Sequence, residues 1–238
     1  MITKLTFSNA NSKLVKLEKT LQKKVISFSL PSGFACPGAL DCLSRANPVT
    51  GKITDGPNTK FRCFSASSEA LYPALREMVW RNFEAIRALE NDYSAIADLI
   101  CSSLPDYFNV CRAHINGDFF SQAYFDAWIE VAKRNPSRHF YAYTKSVDKW
   151  VKRLNEIPVN FVLTASRGGK HDALINQYNL KCAEVVFSEH EAKEKGLEID
   201  KDDSHAAVGI KSFALLLHGT QPKGTAAGEA LKAIHQAV

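Results

Sequence analysis

The sequence predicts an α/β protein: a single domain whose parallel strands, about six of them, form a partial or TIM-like (β/α) barrel. Three observations predict it. Strand-like runs alternate with helical ones along the chain, which is the pattern of βαβ units. Nearly every strand-like run ends in polar, chemically capable residues, as strands do where they open onto the mouth of a parallel barrel. Three of the six cysteines fall in the Pro/Gly-rich loop sequence that follows the first strand.

The elements follow in order. Val25–Leu30 reads as the first strand and runs into the cysteine loop, which continues to Ala66. From Glu69 to about Ile100, Leu71, Leu75, Met78, Val79, Phe83, Ile86, Leu89, Ile96 and Ile100 recur at helical spacing. This predicts one long helix, or two broken near Asn91-Asp92, with Ser67 and Ser68 as N-caps. Tyr107–His114 is the second strand, and a helix over Gln122–Arg134 places Phe125, Trp128, Ile129 and Ala132 on one face. His139–Thr144 is the third strand, followed by a helix from Val147 to Leu154, and Val159–Ala165 is the fourth. The fifth, Ala183–Ser188, runs into Glu189-His190; the sixth, Ser212–Leu217, ends at His218; a closing helix holds Ala226–Ala237. Six polar strand ends suit a ring better than the single switch point of an open doubly wound sheet.

At 238 residues the chain is long enough for one large core, and its 45% hydrophobic and 23% charged content is that of an ordinary globular protein. No stretch reaches the apolar length that spans a membrane. Met1–Phe7 lacks the apolar region of a signal peptide. A cytoplasmic location is therefore expected, where six cysteines mean thiols or metal ligands before disulfides. The net charge of +5 comes largely from Lys13, Lys16, Lys19, Lys23 and Lys24, a solvated helix face, and by itself does not argue for a nucleic-acid partner.

Cys36, Cys42 and Cys63 carry the strongest chemical signal. Loops beside proline and aromatic residues suit thiolates converging on a metal better than they suit buried apolar cysteines. Zinc knuckles show close Cys-x2-Cys pairs, which are absent here, and a cubane accepts irregular spacing, so [4Fe-4S] is the first reading and zinc the second. Cys101, Cys111 and Cys182 sit where they face away from the mouth and read as core residues. The fourth ligand is open: His114, His190 or His218 at a strand end, His205 in a loop, or an exogenous group. Asp118 and Lys145 line the same mouth, Asp118 paired with Arg112 or with Lys145, and Lys145 alternatively binding an anion. Gly168-Gly169 and the His218–Thr225 segment resemble phosphate-cradling turns but match no complete fingerprint, so helix capping is the stronger reading. Ala165-Ser166-Arg167-Gly168 lacks the first glycine of a nucleophile elbow, which makes hydrolase readings poor.

Phe28-Ser29-Leu30-Pro31 leading into Cys36-Pro37-Gly38-Ala39, with Cys63-Phe64-Ser65-Ala66, Arg112–Phe119 and Tyr143-Thr144-Lys145, resembles the phage gene product 88 family from about Asn9 to Ile234. The resemblance implies a phage-encoded protein, acting in the infected cell, with cysteines placed for an iron–sulfur cluster. The Gly-Asp and Tyr-Thr-Lys strand ends are also similar to those of partial-barrel radical S-adenosylmethionine proteins. The chain departs from that class in spacing, with five and then twenty residues between its cysteines where the class has Cys-x3-Cys-x2-Cys. Family members often carry further cysteines late in the chain; Asp202–His218 has none, so one cluster is expected. The functional expectation is thus a [4Fe-4S] protein in electron transfer, redox sensing or assembly, with a homo-oligomer as an associated expectation. The alternatives are a radical enzyme binding S-adenosylmethionine at the open iron, and a zinc protein associated with nucleic acid.

Overall fold

A computed structural model of the chain describes residues 4–236. Met1, Ile2 and Thr3, from the N-terminal expectation, and Ala237, the expected end of the last helix, lie outside the described residues. In chain order the strands are β1 (Ser8–Asn9), β2 (Val25–Ser27), β3 (Ser44–Ala46), β4 (Ile53–Asp55), β5 (Val110–Arg112), β6 (His139–Thr144), β7 (Phe161–Ser166), β8 (Cys182–Val186) and β9 (Phe213–Leu216). The helices are α1 (Ser12–Leu21), α2 (Phe64–Leu71), α3 (Pro73–Arg87), α4 (Tyr93–Ser103), α5 (Gln122–Arg134), α6 (Val147–Val151), α7 (Asp172–Gln177), α8 (Glu189–Glu194), α9 (Ser204–Ala207) and α10 (Ala226–Gln236).

One seven-stranded sheet runs in the order β1-β2-β5-β6-β7-β8-β9. Strands β2 through β9 of this sheet pair in parallel and in chain order, while β1 adds an antiparallel edge. The α/β class and the parallel sheet are as the sequence predicts. The closed form is not: β1 and β9 are the two edges and do not pair with each other, so the sheet is open. A TIM barrel closes with eight parallel strands. Among the described residues six are available, and β1 finishes the β2 edge by pairing in the opposite direction.

Strand alternation sends successive residues to opposite faces. Ile26, Cys111, Phe140 and Phe161 are in register on one face. They belong to a core shared with Phe83 and Ile86 of α3, Ile96 and Ile100 of α4, and Phe125 and Trp128 of α5. Each fully buried phenylalanine there contributes about 1.5–3 kcal/mol relative to exposure. On the other face Val25, Val110, Tyr141 and Phe213 are covered by Leu14 and Leu17 of α1 and by Ala206 and Ala207 of α9.

The helical run from Glu69 differs from expectation in its start and its joints. It begins earlier, at Phe64, with Cys63 in the N-cap position. Ser67 and Ser68 lie inside α2, where their hydroxyls donate to the carbonyls of Cys63 and Phe64 rather than capping. Pro73 starts a new helix after the extended Tyr72. The break near Asn91-Asp92 is present: Glu90 and Asn91 take positive φ, and Asp92 caps α4 through the amides of Ser94 and Ala95. The hairpin of β3 and β4, within the cysteine loop, is an addition to the sequence reading.

Candidate metal centre

The cysteine loop lies across the C-terminal ends of the parallel strands. Past β2, Leu30 N–H donates to the Asn116 carbonyl in the turn after β5 (2.9 Å). Gly38 packs so closely on the Lys145 carbonyl at the end of β6 that a Cβ at this position would overlap it. After β7, Asp41 N–H donates to Gly168 (2.9 Å) and Lys170 N–H returns to Gly38 (2.9 Å). Phe61 meets Phe187 beyond β8 edge-on, with centroids 6.3 Å apart. Beyond β9, the Gln221 side chain accepts from Arg62 N–H (2.8 Å) and donates to the Arg62 carbonyl (3.1 Å). One loop therefore meets the ends of five strands, and this positions the three cysteines.

Cys36, Cys42 and Cys63 are half-buried free thiols. Burial pushes Cys36 well above the usual thiol range; negative charge on Asp118, Cys63 and Cys42 adds to this, and the Gly33 amide, 3.3 Å from Sγ, opposes it. Cys42 is pushed up to about 12 by burial, against the pull of the Lys145 ammonium and with Cys63 and Asp118 adding to the rise. Burial also raises Cys63, with the amides of Ala66 and Ser65 at the start of α2 favouring its thiolate and Glu69 disfavouring it. Among the described residues, no group of three or more His, Cys, Asp or Glu is gathered closely enough to hold a single metal ion.

Asp118 is buried and has no free oxygen: Oδ1 accepts from Phe119 N–H (2.7 Å) and Thr144 Oγ1 (2.6 Å), and Oδ2 from Lys145 N–H (2.8 Å). Burial raises its pKa against these bonds. The expected ion pairs of Asp118 with Arg112 or Lys145 are absent among the described residues. Arg112 pairs with Asp203 instead, and the Lys145 ammonium donates to the Ser166 hydroxyl and to the carbonyls of Ser166 and Arg167. Asp203 wins Arg112 because it is reached across the sheet face, where it also bonds Lys13, Tyr141 and Tyr143.

The histidines do not converge on the thiols. His114 is buried against Phe119, Tyr124 and Trp128, with Nε2 3.0 Å from the Tyr124 hydroxyl. His190 is exposed beside Glu194 on α8. His205 bonds Asp200 (3.1 Å) and Glu198 (3.0 Å). Burial works against its charged form, and those carboxylates more than offset it, so its pKa is raised. His218 turns Nδ1 to the Leu216 carbonyl (3.0 Å) and lays its ring near Phe64, 4.8 Å between centroids. The amides of Gly168 and Gly169 are both taken by the Asp172 carboxylate (2.8 and 2.9 Å), which is the capping reading of that turn.

One buried carboxylate escaped the sequence reading. Glu69, the expected start of a helix, is fully buried on α2, bonded to Ser32 and Asn116. Arg167 lines a cavity of about 450 Å³ together with Asp41, Lys60, Phe61 and Phe187, at the ends of β7 and β8. The available signal for Glu69 was a carboxylate three residues beyond Ala66, on the inward face of an amphipathic helix.

Fold and loop together define an open α/β protein, wound strand by strand, with a thiol-bearing loop laid over the strand ends. The chain belongs to the Gene product 88 family, whose model matches residues 3–236. It is similar to the Gene 88 protein of Mycobacterium phage L5, 27% identical over 130 residues covering 50% of this chain and 47% of that protein. It is also similar to the Gene 88 protein of Mycobacterium phage D29, 26% identical over 130 residues with the same coverage. The chain spans about half the length of these curated relatives. No solved structure matches it. The family expected from the loop and strand-end motifs is the family found; the names of its members say nothing of a cluster or of S-adenosylmethionine. No helix among the described residues is long and apolar enough to cross a membrane.

Proposed function

We propose that this chain is a phage-encoded iron–sulfur protein of the infected cell's cytoplasm, holding one [4Fe-4S] cluster through Cys36, Cys42 and Cys63. Its role is electron transfer, redox sensing or stabilisation of an assembly. The observation that carries the reading is that one loop bearing all three thiols is pinned across the parallel strand ends, with the Gly33 amide directed at the Cys36 sulfur. A cubane spreads its cysteines more widely than a single zinc ion does and accepts ligands at irregular spacing. The cluster supplies a reversible one-electron couple when bound. The protein's part is to exclude water from the thiols, to direct amide hydrogens at them, and to hold the Lys145 ammonium near Cys42. Because burial keeps the unligated thiols protonated, loading must expel protons and should be favoured by rising pH.

Anaerobic purification or reconstitution tests this. The expected product is brown, contains about four irons per chain, and loses its iron in Cys36→Ser, Cys42→Ser and Cys63→Ser. Stoichiometric zinc without visible absorption would exclude the cluster.

A second reading rests on a different observation. The cavity beside Asp41 and Phe61 lies where parallel α/β proteins bind ligands, at strand C-terminal ends. In that reading the protein is a radical enzyme, with S-adenosylmethionine taken up next to the cluster. Reductant-dependent cleavage of S-adenosylmethionine supports it, and absence of binding in either redox state removes it.

A further inference from the structure

The cavity of about 450 Å³ beyond β7 and β8 is built in advance of any ligand. One wall is tied together by main chain. Asp41 N–H donates to the Gly168 carbonyl (2.9 Å), and the Asp41 carbonyl accepts from Lys60 N–H (2.7 Å) and Phe61 N–H (3.2 Å). These bonds carry Phe61 from the cysteine loop to its edge-on seat against Phe187, and both half-buried rings line the space. A preformed cavity of this size, with aromatic lining and a few fixed polar groups, is the usual form of a small-molecule site.

The charges around it are matched in all but one place. The Asp172 carboxylate is taken by the amides of Gly168 and Gly169, and Asp41 pairs with Lys60 (2.9 Å). Glu184 and Glu191 both pair with Lys195, and Glu191 also accepts from Phe187 N–H (2.7 Å). Arg167 is the exception. Its guanidinium donates from Nη2 to the neutral side chain of Asn176 (2.7 Å), and among the described residues it has no carboxylate partner. The remaining N–H groups of the fork suit a phosphate or carboxylate, which a guanidinium grips through two parallel hydrogen bonds. The main chain of Arg167 is held separately: its N–H donates to the Ala183 carbonyl (2.9 Å), and its own carbonyl accepts from the Lys145 ammonium. The side chain is therefore not needed to hold the end of β7.

We propose that this cavity binds an anion of mononucleotide size, its phosphate or carboxylate on the Arg167 fork and its planar ring against Phe61 and Phe187. The site rests on the cavity of the second reading above and on none of the three thiols, so occupancy does not depend on a cluster. Aromatic side chains hold a planar ring by offset stacking or edge contact, and the guanidinium fixes which end of the ligand points inward.

Calorimetric titration of the full-length chain, as purified and after iron loading, tests this. Adenosine 5′-monophosphate, S-adenosylhomocysteine and adenosine share one ring; the first adds a phosphate, the second an amino-acid carboxylate, the third neither. One or both anionic probes are expected to bind about tenfold more tightly than adenosine or better, as charge-assisted hydrogen bonds allow. Which of them does so identifies the source of the anion. Arg167→Gln should bring the anionic probe down to the level of adenosine with the circular dichroism spectrum unchanged. Arg167→Lys, which keeps the charge without the fork, should recover part of the difference, and Phe187→Ala should weaken all three probes. Anionic probes that bind no better than adenosine, or that bind Arg167→Gln as tightly as wild type, overturn the proposal. The enzyme reading fails separately. Arg167-dependent binding without reductant-dependent cleavage of S-adenosylmethionine removes the enzyme and leaves the site. Cleavage at an unchanged KM in Arg167→Gln removes the role of Arg167 and leaves the enzyme.

Discussion

His114 shows how a single buried ring sets an acid limit on the fold. Burial, with the Arg112 charge adding to it, lowers its pKa from 6.5 to about 3. Above pH 6.5 the folded and unfolded chains both carry it neutral, and it has no effect on the pH dependence of stability. Below that value the unfolded chain takes up a proton that the folded one refuses, and stability falls by about 1.4 kcal/mol per pH unit down to the folded pKa. Glu69 and Asp118, whose pKa values burial raises, act in the opposite direction, so the wild type must be compared with a variant. The expected outcome is that His114→Gln, retaining a polar partner for Tyr124, loses less stability than wild type between pH 7 and pH 5 in urea denaturation. Equal losses would show that His114 protonates freely in the fold. Sequence alone placed His114 on the strand beside Arg112 but could not assign its surroundings, because Phe119, Tyr124 and Trp128 enclose it only once α5 docks. Glu69 was illegible for the same reason: helical spacing shows which way a side chain faces, not whether the facing wall holds Ser32 and Asn116.

At the scale of elements, α1 and α9 are joined to the open face of the sheet by charge as well as by Leu14, Leu17, Ala206 and Ala207. Asp203, fully buried at the N-cap of α9, pairs with Lys13 of α1 and Arg112 of β5, and accepts from the hydroxyls of Tyr141 and Tyr143 of β6. Burial disfavours its charge, yet Arg112 and Lys13 hold its pKa at about 2. Removing that charge leaves the partly buried Arg112 without its carboxylate, while Lys13, a third exposed, keeps Asp200, so the expected cost is about 3 kcal/mol, the low end for breaking a buried pair. Tyr143→Phe removes one of several hydrogen bonds and should cost about 1 kcal/mol. Asp203→Asn and Tyr143→Phe can be ranked by urea midpoints at pH 7; comparable losses would mean the aspartate is not the hub. The regular strands and helices were legible because their periods are local: His139–Thr144 and Gln122–Arg134 form over the predicted residues. The hairpin of β3 and β4 was not, since three-residue strands carry too little alternation to register. Nor was Asp203, whose partners come from segments far apart in sequence.

For the whole molecule, the arrangement of strands decides what a metal can and cannot do for stability. The main core is assembled from sheet residues such as Cys111 and Phe140 and from helices α3 to α5, and it includes none of Cys36, Cys42 and Cys63. A zinc finger, by contrast, has no core without its ion and unfolds when chelated. This chain has a sheet of seven strands and a continuous apolar core that takes Ala35 from the loop but none of its three thiols, so chelation should leave the fold in place. The loop itself is a different matter, because it bridges the ends of strands that otherwise meet only through their neighbours. A centre ligated by Cys36, Cys42 and Cys63 ties the start of that loop to its end across twenty-six intervening residues, counted from Cys36 to Cys63. The expected outcome is therefore local: on loading with iron, amide hydrogen exchange slows across residues 31–63, while β5 to β7 change little. Far-UV circular dichroism of the chelated protein should retain the helical signal, and its thermal midpoint should fall below that of the loaded protein, as binding to the native state alone requires. Loss of the helical signal on chelation would mean that the metal builds the fold rather than fastening one loop across it.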